Sequence, residues 1–260
     1  MATEGARSED WAGYLERFHQ QRAGITETVL SRCVDRHGLD PYQWAVQPAG
    51  RAGPVLDLAC GSGPLWPHLT ARPYLGIDRS ASELSLAAAR GARPLVGADA
   101  TALPVADSTV TVVVCAMALM IMKPLAPILT EIARVLRSGG RLVALVPANR
   151  PLGAPGALVA AGLVAATGPL RYPNDAALAD PTEAFGRAGL RIIADDTHRF
   201  GYRLTGTARA DALLDSLYLP GLPRRRVQAA RAWLRALATV GATAPVPLRR
   251  LVVTPGHQPA

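Results

Sequence analysis

The chain has 260 residues, 49% hydrophobic and 18% charged, enough apolar material for one full core, which excludes a disordered chain and fits a single α/β domain. Cys33, Cys60 and Cys115 are odd in number, scattered, and without histidines at ligand spacing, which argues against a disulfide framework and a zinc site and fits a reducing cytoplasm. The formal charge of +8 is concentrated late, since residues 205–260 hold eight arginines against Asp211 and Asp215, while Lys123 is the only lysine.

Residues 1–11 carry Glu4, Arg7, Glu9 and Asp10 with no apolar run, so they read as neither a signal peptide nor an anchor. Trp11, Leu15 and Phe18 then recur at helical spacing. Val29, Leu30, Cys33 and Val34 repeat the pattern up to Gly38, a suitable helix stop, and two helices are predicted ahead of the core. Residues 1–50 are thus expected to form a helical extension or cap on a domain spanning residues 51–260.

Within that domain, residues 55–58, 74–77, 94–96, 110–115 and 142–146 are short buried-strand runs with helical segments between them. The clearest helices are residues 81–90 and 125–137, the second with Ile128, Ile132, Val135 and Leu136 on one face and a Gly139-Gly140 stop. This alternation implies right-handed βαβ crossovers, hence a doubly wound, mostly parallel α/β sheet with helices on both faces. Residues 190–194 and 251–254 are strand-like and flank a long helical stretch, 208–237, which brings the predicted sheet to seven strands. Residues 110–122 are too short to span a membrane, and residues 152–170 are built from Ala, Gly and Pro, so no span is expected. The latter stretch reads either as part of an apolar lid inserted at 150–180 or as a surface helix with flanking loops.

Chemistry enters at residues 55–65, Val-Leu-Asp-Leu-Ala-Cys-Gly-Ser-Gly-Pro-Leu, where a buried strand runs into a turn whose Gly61 and Gly63 let a ligand approach the backbone. A dinucleotide fingerprint needs a third glycine where this chain has Trp66, so NAD is disfavoured. The next strand ends on Asp78, placed to accept both hydroxyls of a ribose, and the third ends on Asp99, placed to accept from an adenine amine while Ala100 N–H donates to the ring. Each acid alone could equally be a helix N-cap.

In this order, the glycine loop, Gly76-Ile-Asp78, Asp99-Ala-Thr-Ala-Leu-Pro104 and Ile132-Ala-Arg-Val-Leu-Arg-Ser-Gly-Gly-Arg-Leu142 resemble the type 11 class I S-adenosylmethionine (SAM) dependent methyltransferases, a group that includes quinone-biosynthesis enzymes. The resemblance covers residues 53–147. It implies SAM as cofactor and S-adenosylhomocysteine as product. It places Asp57, Ala59 and Gly61 at the methionine end, Asp78 with neighbouring Arg79 at the ribose, Asp99 and Ala100 at the adenine, and Ala116 closing the pocket. Residues 247–254 also resemble the family's last, antiparallel strand. Thr111 and Ser138 depart from the family's usual acid and proline.

Methyl transfer from a sulfonium requires alignment, exclusion of water and sometimes removal of a proton, but no metal. His257 lies in a tail, while His68 and His37 read as structural, so His19 and His198 remain as candidate bases. On the first helix, three- and four-residue spacing groups Tyr14 with Phe18 and Phe18 with Arg22. That face is expected to cover the pocket, Arg22 pairing with the methionine carboxylate while Tyr14 or His19 contacts the acceptor. The acceptor is expected to be a small, apolar metabolite methylated on O, N or C. An RNA substrate, suggested by Arg224, Arg225, Arg226, Arg231, Arg235, Arg249 and Arg250, lacks the aromatic platforms such binding uses, since only 5% of residues are aromatic. A SAM-binding protein that does not methylate stays open.

Overall fold

A computed structural model describes residues 10–148 and 154–256. Glu4, Arg7, Glu9 and His257, named above, lie outside them, as does the start of the segment 150–180. The strands are β1 (Cys33–Val34), β2 (Val55–Leu58), β3 (Tyr74–Asp78), β4 (Leu95–Gly97), β5 (Val110–Ala116), β6 (Leu136–Pro147), β7 (Leu190–Arg203) and β8 (Thr243–Pro255). They form one eight-stranded sheet in the order β1-β7-β8-β6-β5-β2-β3-β4. From β4 to β6 neighbouring strands pair in parallel, and β8 inserts antiparallel between β6 and β7.

The helices are α1 (Trp11–Gln21), α2 (Ile25–Leu30), α3 (Pro41–Val46), α4 (Trp66–Leu69), α5 (Ala81–Ala89), α6 (Leu125–Val135), α7 (Ala154–Thr167), α8 (Asp175–Ala179), α9 (Pro181–Arg187), α10 (Thr207–Asp215) and α11 (Arg224–Thr239). They cover both faces of the sheet because β5 alternates with period two. Val113 and Cys115 join the core shared with α6 and Phe18, while Val112 and Val114 join the core shared with Trp44, Leu214 and Leu234. The N-terminal helices bury side chains in both cores, so residues 10–50 share the domain's interior. Cys33, Cys60 and Cys115 are all buried.

Three elements depart from the sequence reading. Cys33 and Val34 continue no helix. They pair with Tyr202 and Gly201 as β1, because α2 stops at Leu30 and the Asp35 carboxylate captures the N–H groups of His37 and Leu39 in a turn. The helical stretch 208–237 is two helices, broken at residues 216–223, where Pro220-Gly221-Leu222-Pro223 cannot continue the ladder. β7 and β8 are 14 and 13 residues long, far beyond the short runs read from apolar content, because one face of this hairpin is exposed and carries polar residues. No helix of the described residues is long and apolar enough to cross a membrane.

Candidate active site

The chain runs from β2 to β3 and β4 on one side, then returns to β5 on the other, so the loops after β2 and β5 diverge at the carboxyl edge. Sheets of this type bind ligands at such a point. Ala59 and Met117, one in each loop, adopt left-handed backbone with φ of 54° and 58°. These unfavourable conformations open a cavity of about 430 Å³ between them, within the usual size range for small-ligand sites.

Asp57, Ala59 and Gly61 line this cavity, as do Asp78, Arg79, Asp99, Ala100 and Ala116. Asp78 is the best-held acid. Its Oδ2 accepts from Gly61 N–H at 2.8 Å and its Oδ1 from Ser80 N–H at 2.8 Å, leaving each oxygen a further lone pair for a ligand hydroxyl. Burial raises its carboxyl above the usual range, opposed by those two donors. Asp99 Oδ1 accepts from both the N–H and the hydroxyl of Thr101, at 2.8 and 2.7 Å, and these bonds hold its carboxyl below the usual range. Asp57 is 1% exposed and meets Tyr74 OH at 2.9 Å; burial pushes it up to about 7, with the Asp78 charge adding to the rise.

Gly63 does not line the cavity; a Cβ there would meet Ala87 Cβ at 3.2 Å, so the position serves the close approach of α5 to the loop. Arg22 and Tyr14 do not line the cavity either. The Arg22 guanidinium lies over the Phe18 ring and donates to Asp215 C=O at 3.1 Å, on the side of α1 turned from the cavity. Tyr14 OH accepts from Leu219 N–H at 2.9 Å and tethers α1 to the α10–α11 connection. Spacing groups residues on a helix face but leaves that face's direction open, and α1 turns His19 inward instead.

Around His19 the structure assembles residues that sequence reasoning missed. Glu83 on α5, 5% exposed, places Oε1 2.9 Å from His19 Nδ1 and accepts from Gly24 N–H through Oε2 at 3.0 Å. On the other side of the ring, Tyr218 OH is 3.3 Å from His19 Nε2. Ser80-x-x-Glu83 looks like a capping box, which disguised the glutamate; Ser80 does cap Glu83 N–H, but the Glu83 side chain goes to α1. Tyr218 was hidden inside the helix predicted through it, and the Pro-Gly-x-Pro break was the signal that could have freed it. His198 pairs with Asp35 at 3.0 Å, away from the cavity.

An adenosine-bearing cofactor fits this arrangement. A Cβ on Gly61 would meet nothing nearer than Glu83 Oε2 at 3.9 Å, so the backbone there faces open cavity, and two acids, one ending β3 and one just after β4, match a ribose and an adenine.

Residues 56–144 match the family described as a methyltransferase domain. The demethylmenaquinone methyltransferase of Mycobacterium tuberculosis H37Rv is 37% identical over 124 residues, 46% of this chain and 51% of that protein, so the matched stretch spans about half the length of such relatives. Among solved structures, the YcgJ protein of Bacillus subtilis superposes with a TM-score of 0.55 at 16% identity, covering 84% of this chain and 98% of that one. Phosphoethanolamine N-methyltransferase 2 of Haemonchus contortus, in complex with phosphomonomethylethanolamine and S-adenosylhomocysteine, gives 0.57 at 13% identity, covering 96% and 61%. These likenesses establish the fold.

Proposed function

We propose that this chain, whose residues 56–144 match a methyltransferase-domain family, is a class I SAM-dependent methyltransferase that moves the methyl group of SAM to an O, N or C atom of a small, apolar metabolite. The observation that carries this reading is that Asp78, the last residue of β3, and Asp99, two residues beyond the end of β4, line the same cavity. Bound SAM would supply an electrophilic methyl on a sulfonium. Asp78 would accept the ribose hydroxyls and Asp99 the adenine amine, while Ala59, Gly61 and Ala116 give close walls without side-chain bulk.

His19 is the proposed proton acceptor. When Glu83 accepts from His19 Nδ1–H, the lone pair stands on Nε2, on the side of Tyr218, so the imidazole can take a proton directly or through the tyrosine hydroxyl. Glu83 would act as a positioning residue, fixing ring orientation and tautomer as the third member of such arrangements does. Four arginines that suggested RNA are paired: Arg231 and Arg235 with Asp211, Arg249 with Asp195 and Arg250 with Asp196. That pairing supports a small acceptor.

Titration calorimetry with SAM tests the cofactor site. Asp78→Ala should weaken binding by about 1.5–3 kcal/mol, the usual worth of hydrogen bonds to a charged group. A folded variant with undiminished affinity would remove Asp78 from the site. Transfer of labelled methyl to a cell extract should put label in the metabolite fraction; label confined to RNA or protein would overturn the acceptor class.

A further inference from the structure

A second cavity of about 270 Å³ lies beside the first, and Tyr218 lines both. Its walls come from three distant segments: Trp11 opening α1, residues 167–173 after α7, and residues 218–222 between α10 and α11. The lining is rich in rings, with Trp11, Tyr172 and Tyr218 joined by Pro169, Pro173 and Pro220. The Tyr172 and Tyr218 rings stand edge to face at 6.5 Å, an arrangement that offers flat surfaces to an aromatic or otherwise planar guest.

Among the described residues one charged side chain lines this cavity, Arg171. No carboxylate of the described residues pairs with it. Asp175, the nearest acid along the chain, turns its Oδ2 to the Tyr172 N–H at 2.9 Å instead. A guanidinium with no carboxylate partner among the described residues, beside an apolar ring-lined hollow, favours an anionic group on whatever fills the hollow. Arg226 does not line the cavity and donates from Nε to Ala166 C=O at 2.6 Å.

We infer that this cavity is the acceptor site and that it takes a planar, apolar molecule bearing an anionic substituent, carboxylate, sulfonate or phosphate, held by Arg171. The inference rests on the methyl-transfer reading for the word acceptor; the ligand chemistry stands on the cavity itself. Tyr218 then stands where the two cavities meet, its hydroxyl on His19 Nε2, so the anionic end of the guest rests on Arg171 while its reactive atom reaches past this side chain into the first cavity.

Two fluorescent probes with the same ring system test this: 8-anilinonaphthalene-1-sulfonate and its uncharged parent N-phenyl-1-naphthylamine. The full chain should bind one equivalent of each, without displacement by S-adenosylhomocysteine. Arg171→Ala, an exposed position, should weaken the sulfonate about tenfold and leave the uncharged probe unchanged, whereas Trp11→Ala should weaken both. Equal loss of both probes in Arg171→Ala, no loss of either, or displacement of the sulfonate by S-adenosylhomocysteine would overturn the assignment. Should the wild-type chain bind the sulfonate through Arg171 but not S-adenosylhomocysteine, the ligand class would be supported while the methyl-transfer reading fell.

Discussion

Asp57 holds a carboxyl where water barely reaches, with the Tyr74 hydroxyl as its hydrogen-bond donor. Burial raises it to about 7, whereas in an unfolded chain it loses its proton near pH 3.9. Between those values the folded protein binds a proton that the unfolded chain has released, so the folded state loses stability as pH rises through this window. Asp57→Asn keeps an acceptor for Tyr74 and removes the titration. At pH 8 the variant, free of ligand, should be more stable than the wild type by about 2–4 kcal/mol, with the gap closing toward pH 4. Urea unfolding at the two pH values measures this; a variant less stable at pH 8 would mean that the carboxylate has compensating partners. At this scale the sequence was readable where a residue's place follows from a strand end, as at Asp78 and Asp99. It was unreadable where the partner is distant, as Glu83 and His19 are 64 residues apart.

Helix α7 shows how a compositionally bland segment is fixed in place. Its Gly162 faces Trp233 of α11 so closely that a Cβ would stand 2.3 Å from the indole, and Trp233 Nε1–H donates to Val159 C=O at 3.0 Å. Absence of a side chain at Gly162 thus permits the two helices to touch. Gly162→Ala should force them apart and cost about 1–3 kcal/mol, as overpacking usually does. A melting temperature equal to that of the wild type would show that the indole can move aside. The sequence offered two readings of this region, lid and surface helix; α7 rests on α11, and Thr167, Pro169 and Leu170 wall the second cavity. Periodicity finds helices such as α6 readily, since Ile128, Ile132 and Val135 all point into one core. It cannot see strand pairing that crosses the chain, and β1 was read as helix for that reason.

Across the whole molecule, the doubly wound sheet was legible because buried parallel strands are continuous apolar runs, while the β7–β8 hairpin was legible only at its apolar ends. The clustered positive charge, alarming in one dimension, is answered in three at four of its eight arginines by carboxylates on β7 and α10. The buried thiols add a property of another kind. Burial raises Cys33 to about 12 and lifts Cys60 and Cys115 further, so the native chain presents almost no thiolate for a reagent to meet. Modification must wait for the fold to part, and each sulfur becomes a clock for a different opening. Cys115, in the middle of the sheet, should be labelled only at the pace of global unfolding, while Cys60, in the loop beside Gly61, should respond to that loop's own excursions. Mass spectrometry of time-resolved alkylation reads both at once, and S-adenosylhomocysteine should slow the Cys60 clock well beyond the others. Equal slowing at all three would mean that the loop never opens except with the rest of the protein.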